Sequence, residues 1–305
     1  MVEQRERTVL CRTFARMTLG QAYDQLVQGL QRHYDLRESR QIAREVFVRL
    51  TGYTPSLRLL HKTEALSSGQ QKRLAQMQQQ LLQSVPLQYV LQEAWFMGWP
   101  FYVDPAVLIP RPETEELAEW ILEKTAGTKR LRVLDIGTGS GCLAIALKKQ
   151  RPDWVVWGLD KYPEALAVAR KNASALAAPV EWIVADVLDG EGCAGALPQM
   201  DLIVSNPPYI PLAEKKTMAP HVAGQEPDTA LFVPDAAPLL FYEAICRLAL
   251  KKLSPDGLLF FEIHEGQGPG VTNLLQSCFS EVVQKTDLSG KDRMRCARGR
   301  KDKMG

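Results

Sequence analysis

The order of apolar runs in this chain predicts an α/β fold: a mainly parallel sheet covered by helices on both faces, preceded by a small helical bundle. Two observations carry that prediction. From Leu131 onward, short runs rich in Val, Ile and Leu alternate with segments of helical period, as in consecutive strand–helix units. From Thr18 to about Gln83 the apolar spacing is helical instead. The chain therefore divides near residue 90, and its 305 residues, 46% hydrophobic, are enough for two cores.

The helical part is read from Ala22, Leu26 and Leu30, then Ile42, Val46, Val48 and Leu50, with Gly52 and Pro55 as punctuation. Leu74, Met77, Leu81 and Leu82 stripe a third helix whose Gln76–Gln83 stretch is a solvated face on good helix formers. A hairpin follows, with Ala94–Phe96 and Phe101–Val103 flanking Met97-Gly98-Trp99-Pro100. Pro112 then suits the first turn of a helix, and Glu113, Glu115 and Glu116 complement its dipole; that helix ends at Gly127. The expected strands are Leu131–Ile136, Val155–Leu159, Val180–Ala185, Asp201–Ser205 and Leu258–Ile263, with Val282–Asp287 and Arg293–Ala297 closing the sheet as a hairpin. The helices between them are Cys142–Gln150, Pro163–Ala177, Ala236–Leu253 and Val271–Cys278.

The first strand–helix junction reads Asp135-Ile136-Gly137-Thr138-Gly139-Ser140-Gly141. Its glycines allow a sharp turn and a close approach of backbone to ligand at the positive end of a helix. Asp160, about 20 residues on at the end of the next strand, is placed to accept from both hydroxyls of a ribose. Gly139, Gly141 and Ala144 also satisfy the dinucleotide pattern, so NAD is a rival ligand. The tighter G-x-G-x-G loop, with Asp186 and Val187 ending the third strand beside an adenine amino group, fits S-adenosylmethionine better, because a sulfonium needs room and no pyrophosphate cradle.

Asn206-Pro207-Pro208-Tyr209 closes the fourth strand. The Asn206 side-chain oxygen and the Pro207 carbonyl both accept hydrogen bonds, and the prolines fix φ without adding a donor. Tyr209 then lies against a planar group. Such a pocket holds an amide or exocyclic amine by its NH2, at the carboxyl end of a strand where ligands bind in α/β sheets. A Pro-rich turn is the plain alternative.

A net charge of +2 creates no field that demands nucleic acid or membrane, and no run approaches the roughly 20 apolar residues of a span. Residues 1–17 are expected to be an N-terminal extension without a signal-type core, although four arginines against two glutamates leave a transit peptide open. The six cysteines have no C-x-x-C or His pairing and read as reduced thiols of a cytoplasmic protein; none of the four histidines has metal-ligand spacing. Cys142 opens a helix, where thiol pKa tends to fall, yet packing is its plainer role. Arg111 either clamps a substrate or pairs with a glutamate of its own acidic stretch. The basic end, Arg298 to Lys303, reads as a solvated tail.

The glycine loop, Asp160, Asp186 and Asn206–Tyr209 together resemble the S-adenosylmethionine-dependent methyltransferases of amide and amine nitrogens. Leu108-Ile-Pro-Arg-Pro-Glu-Thr-Glu115, Asn206–Ile210, and Glu226-Pro227 followed by Ala230-Leu231 resemble, more narrowly, the release-factor glutamine methyltransferases (PrmC/HemK), over nearly the whole chain. One departure is His264, where a glycine is expected after Glu262-Ile263; its side chain is expected to touch none of the site residues. The resemblance implies a seven-stranded Rossmann-like class I methyltransferase sheet over residues 111–305. It further implies a helical substrate-docking domain at 18–90 and a hairpin connector at 91–110. The implied substrate is the glutamine of the Gly-Gly-Gln motif in class I peptide-chain release factors. Asn206, Pro207 and Tyr209 would be catalytic, with Pro208 completing the substrate pocket, and S-adenosylhomocysteine would be the product. A monomer with no specific nucleic-acid partner is expected. A nucleic-acid amino methyltransferase and a non-catalytic scaffold are the rivals; residues 18–90 lack the basic, aromatic-interleaved character of the first.

Overall fold

The computed structural model describes residues 17–195, 197–217 and 224–301; the expected extension before Met17 and the last residues of the basic end lie outside them. The chain forms two compact units, one up to Gln92 and one from Glu93.

The first unit holds α1 (Leu19–Leu30), α2 (Leu36–Thr51), α3 (Pro55–Leu60), α4 (Ser68–Leu82) and α5 (Leu87–Leu91). Sequence sets the helix ends. Thr18 with Gln21, and Ser67 with Gln70, form reciprocal capping boxes. Gly52, at φ 74°, ends α2 in the left-handed conformation that a Cβ disfavours. The apolar stripes of α1, α2 and α4 meet in one core that includes Leu26, Leu30, Val46, Phe47 and Leu74. Each such side chain, fully buried, contributes about 1.5–3 kcal/mol. By contrast α3 buries no residue.

The second unit opens with the hairpin β1 (Ala94–Phe96) and β2 (Trp99–Phe101). The turn is two residues, Met97-Gly98, rather than the expected four. Both adopt positive φ (47° and 81°), as the twist of a tight hairpin requires, and Phe96 pairs with Trp99. Then follow α6 (Pro112–Lys124), β3 (Arg132–Ile136), α7 (Cys142–Gln150), β4 (Val155–Asp160), α8 (Pro163–Ala175), β5 (Glu181–Val184), α9 (Gly190–Gly195) and β6 (Met200–Ser205). After β7 (Ile210–Pro211) come α10 (Asp228–Leu231), β8 (Phe232–Val233), α11 (Leu240–Lys252), β9 (Leu253–Glu262), α12 (Gly268–Cys278), β10 (Phe279–Thr286) and β11 (Asp292–Arg300).

Seven strands make the main sheet in the order β10-β11-β9-β6-β3-β4-β5, with β11 antiparallel to both of its neighbours and the other pairs parallel. Two apolar cores line it. One gathers Leu134, Ile203, Phe261, Tyr242 and Ile245; the other gathers Val133, Leu202, Phe260, Trp120 and Ile145. Successive residues such as Phe260 and Phe261 fall in different cores because a strand alternates its side chains between faces. A sheet covered on both faces needs continuous apolar strands, which is why these runs were legible. The turn-like Ser254-Pro-Asp-Gly257 is carried inside β9 as a register shift against β6. Chain order reverses between β3 and β6, which lie side by side with Ile136 opposite Ser205. Their carboxyl ends therefore open a crevice of the kind in which ligands bind.

Candidate active site

Both sequence motifs leave the sheet at that crevice. Gly137 and Thr138 donate their N–H groups to the Leu159 carbonyl (2.8 and 3.0 Å), so the loop after β3 folds over the end of β4. Gly137, Gly139 and Gly141 all have positive φ, which makes this tight fold possible. The loop borders a mostly apolar cleft of about 890 Å³, open mouth included. Gly137, Gly139, Asp160, Asp186, Val187, Asn206, Pro207 and Pro208 border it, and Phe241 and Ile245 of α11 add apolar wall.

Asp160 accepts the N–H of Gly139 (2.9 Å) and of Tyr162 (3.0 Å), one on each carboxylate oxygen. Burial raises its pKa against those backbone donors. Asp160 thus ties the glycine loop to β4 and keeps lone pairs for a ligand. Asp186 is also pressed upward by burial, but the Lys161 ammonium at 2.9 Å and the Leu188 N–H hold its carboxyl below the ordinary value. A mostly apolar cleft with one buried and one paired carboxylate suits an adenosine group: faces for the base, acceptors for hydroxyl and amino donors.

The other loop residues do different work. Asp135 is buried, its pKa pushed to about 7, and it accepts the Thr138 hydroxyl at 2.6 Å. Asp135, Thr138 and Ser140 border a smaller cavity that Thr114, Arg111 and Asn206 also border. Gly141 borders neither cavity. A Cβ there would lie 2.9 Å from the Trp182 ring and 3.1 Å from Ala169, so this glycine lets α7 pack closely. Burial pushes the Cys142 thiol up to about 12, opposite to the effect of a helix start.

Asn206 donates its Nδ2 to Thr114 Oγ1 (3.0 Å), which leaves Oδ1 as the outward end of the amide. Asn206, Pro207, Tyr209, Arg111, Leu108 and Ala230 border a pocket of about 400 Å³, open mouth included. Asn206 and Pro207 border the large cleft too, so one pair of acceptors serves both spaces. The Tyr209 hydroxyl donates to Glu262 Oε1 (3.1 Å), and burial raises its pKa well above the ordinary phenol value. Chemically, the arrangement can take an adenosine-bearing ligand in the cleft and an NH2 group in the adjoining pocket.

Known proteins resemble this chain in both of its units. The family described as "PrmC N-terminal domain" matches residues 21–91, and "Methyltransferase small domain" matches residues 114–223. A release factor glutamine methyltransferase of Bacteroides thetaiotaomicron is 40% identical over 88% of this chain and 95% of its own length. Those of Flavobacterium psychrophilum and Enterococcus faecalis are 45% and 39% identical, over 70% and 83% of this chain and 76% and 90% of their own. This chain belongs to the release factor glutamine methyltransferases. Its fold is also that of the solved hMettl16 catalytic domain in complex with MAT2A 3′UTR hairpin 6, at TM-score 0.51 and 16% identity over 66% of this chain and 76% of that one.

In this release factor glutamine methyltransferase, Arg111 pairs with Glu226, 115 positions away, and with no glutamate of its own stretch. Glu226 is buried and also accepts the Ile109 N–H, so it binds the Leu108–Glu115 segment to the one around Pro227. Thr114 and Glu226 stand in the motifs that carry the resemblance, and Glu262 stands just before His264, but no role for any of them was legible in the sequence. Their partners lie from 53 to 148 residues away, and no local pattern could have paired them. His264 corrects an expectation: its ring centroid is 5.9 Å from that of Tyr209 and its Nε2 is 3.6 Å from Glu214, so it does touch the site.

Proposed function

We propose that this chain transfers the methyl group of S-adenosylmethionine to the side-chain amide nitrogen of the glutamine in the Gly-Gly-Gln motif of class I release factors. The observation that carries this reading is the Asn206–Pro207 corner, shared by the large cleft and the NH2-receiving pocket.

When bound, S-adenosylmethionine supplies a methyl group already activated on a sulfonium. Gly137, Gly139, Asp160, Asp186 and Val187 would hold its adenosine part, with Asp160 accepting from the ribose and Asp186 facing the adenine amino group. Asp135, Thr138, Ser140 and Gly141 would support that loop. An amide nitrogen is a poor nucleophile because its lone pair is delocalised into the carbonyl. Hydrogen bonds from the glutamine NH2 to Asn206 Oδ1 and the Pro207 carbonyl favour the form whose lone pair points at the methyl group. Tyr209 supports the amide plane, and Pro208 keeps the turn rigid. Alignment of this kind can supply about 7–11 kcal/mol at best. The proton leaves late, to water, from a nitrogen already cationic.

The helical unit, residues 18–90, docks the release factor in this reading, the hairpin region 91–110 links it, and the remainder is catalytic. Exposed Leu59 and Leu60 on α3 support a docking role. The enzyme acts as a monomer in the cytoplasm; among the described residues no helix is long and apolar enough to cross a membrane. Its test is transfer of labelled methyl from S-adenosylmethionine to purified release factor, with duplex DNA and ribosomal RNA as comparisons. The label should appear on one glutamine by mass spectrometry and vanish when that glutamine is replaced. Label on adenine or guanine amino groups, with release factor unmodified, would sink the substrate assignment.

A further inference from the structure

Glu262 ends β9 almost wholly buried, with 1% of its surface exposed. Its Oε2 lies 2.6 Å from Thr114 Oγ1 and its Oε1 3.1 Å from the Tyr209 hydroxyl. Thr114 Oγ1 in turn lies 3.0 Å from Asn206 Nδ2. An ionised carboxylate has acceptors only, so both hydroxyls must donate to it. Once the Thr114 hydroxyl donates its one hydrogen bond to Glu262, its oxygen can only accept, and only the NH2 end of Asn206 can meet it. The carbonyl end of Asn206 is then turned to the substrate pocket.

We propose that Glu262 is a positioning residue: through Thr114 it fixes which end of the Asn206 amide faces the substrate, and directly it holds the Tyr209 hydroxyl. The proposal rests on the methyl-transfer reading above for its effect on rate. A carboxylate so buried is costly unless paired and hydrogen-bonded. The charged and titratable groups facing it are Arg293 from β11, Glu113 from α6, and Tyr209, Tyr242 and Cys142. Arg293 favours the ionised form and Glu113 opposes it, while burial dominates and brings the carboxyl to about 7. Protonated Glu262 has a donor on one oxygen. Thr114 could then accept from it and donate to Asn206, which would reverse the amide.

The test is Glu262→Gln, of nearly equal volume. Glutamine offers one acceptor and one NH2, so one of the two hydroxyls loses its acceptor. We expect kcat on release factor to fall about 10–100-fold, the size of loss seen when the hydrogen-bond partner that orients a metal ligand is removed. KM for release factor and the Kd of S-adenosylmethionine should stay near wild type. Thr114→Val should lower kcat similarly, and the double variant should lose no more than the worse single one, because the two act in one chain. The wild-type rate should rise with pH through about 7, as Glu262 ionises, and level off above it; Glu262→Gln should lack that limb. A wild-type kcat in Glu262→Gln, or an unchanged limb, overturns the proposal, as do additive losses accompanied by a matching fall in Tm. Should wild type fail to methylate release factor, the functional reading fails instead. The Asn206 side-chain 15N resonance, assigned with Asn206→Asp, then decides this proposal: it should shift between pH 6 and 8 in wild type but not in Glu262→Gln, and a resonance indifferent to both overturns it.

Discussion

Asn206 has two chemically opposite ends, and Thr114 takes the donating one. What remains toward the pocket is an acceptor that a substrate NH2 can use. Asn206→Ala removes that acceptor and should lower turnover by about 10²–10³-fold, the usual loss for one positioned polar group in an active site. Its fold should survive, since Asn206 is only partly buried. Turnover above a tenth of wild type, in a variant that melts normally, would remove Asn206 from its proposed role. Asp160 differs, because it accepts structural hydrogen bonds from Gly139 and Tyr162 in addition to its proposed contact with the ribose. Asp160→Ala should weaken S-adenosylmethionine binding by about 1.5–3 kcal/mol, the range for hydrogen bonds to a charged group. Calorimetry with S-adenosylmethionine and with NAD measures it. Unchanged affinity, or tight NAD binding, would give the glycine loop another ligand.

At the scale of elements, β4 shows how packing behind the site shapes the site itself. Gly158 lies opposite Asp135 on β3 and Trp182 on β5. A Cβ at Gly158 would stand 2.3 Å from the Trp182 ring and 3.0 Å from Thr138 Oγ1, so the ring and the glycine loop use the space that glycine leaves. Gly158→Ala should therefore cost about 1–3 kcal/mol by overpacking. Differential scanning calorimetry should show a lowered Tm, and a displaced Thr138 should weaken cofactor binding as well. An unchanged Tm would mean that Trp182 repacks freely. Gly158 was not legible in the sequence, because its significance depends on a tryptophan from a neighbouring strand. By contrast α7 was legible to the residue, since helical period, Gly141 before it and basic residues near its end coincide. Not legible were α3, α5, α9, α10, β7 and β8, which are two to six residues long and too short to show a period. The helix expected from Ala236 begins at Leu240, just after Pro238, which suits a turn preceding the helix. The same limit hides the Glu262–Thr114–Asn206 chain: each motif was readable alone, but the contact between them belongs to the fold.

For the whole molecule, the two units have separate cores. The helical core draws on residues 17 to 91, and both sheet cores draw on residues from Phe96 onward. The cleft assigned to S-adenosylmethionine is bordered by residues 106 to 245, all in the second unit. Cofactor binding and release-factor docking should consequently be separable. Within the first unit, α3 buries none of its residues, and Leu59 and Leu60 are 59% and 77% exposed. Their replacement should hardly disturb the helical core, yet it removes apolar area from a surface proposed to meet another protein. In Leu59→Glu/Leu60→Glu we expect unchanged Tm and unchanged S-adenosylmethionine affinity. KM for intact release factor should rise by about tenfold, equivalent to about 1.4 kcal/mol, because two charges then stand where two apolar side chains would be desolvated by the partner. A short peptide containing Gly-Gly-Gln, too small to span a docking surface, should be methylated equally by variant and wild type. If intact factor and peptide respond alike, α3 does not dock the factor. If KM is unmoved for both, the exposed leucines are ordinary surface and the docking function lies on another face of the helices.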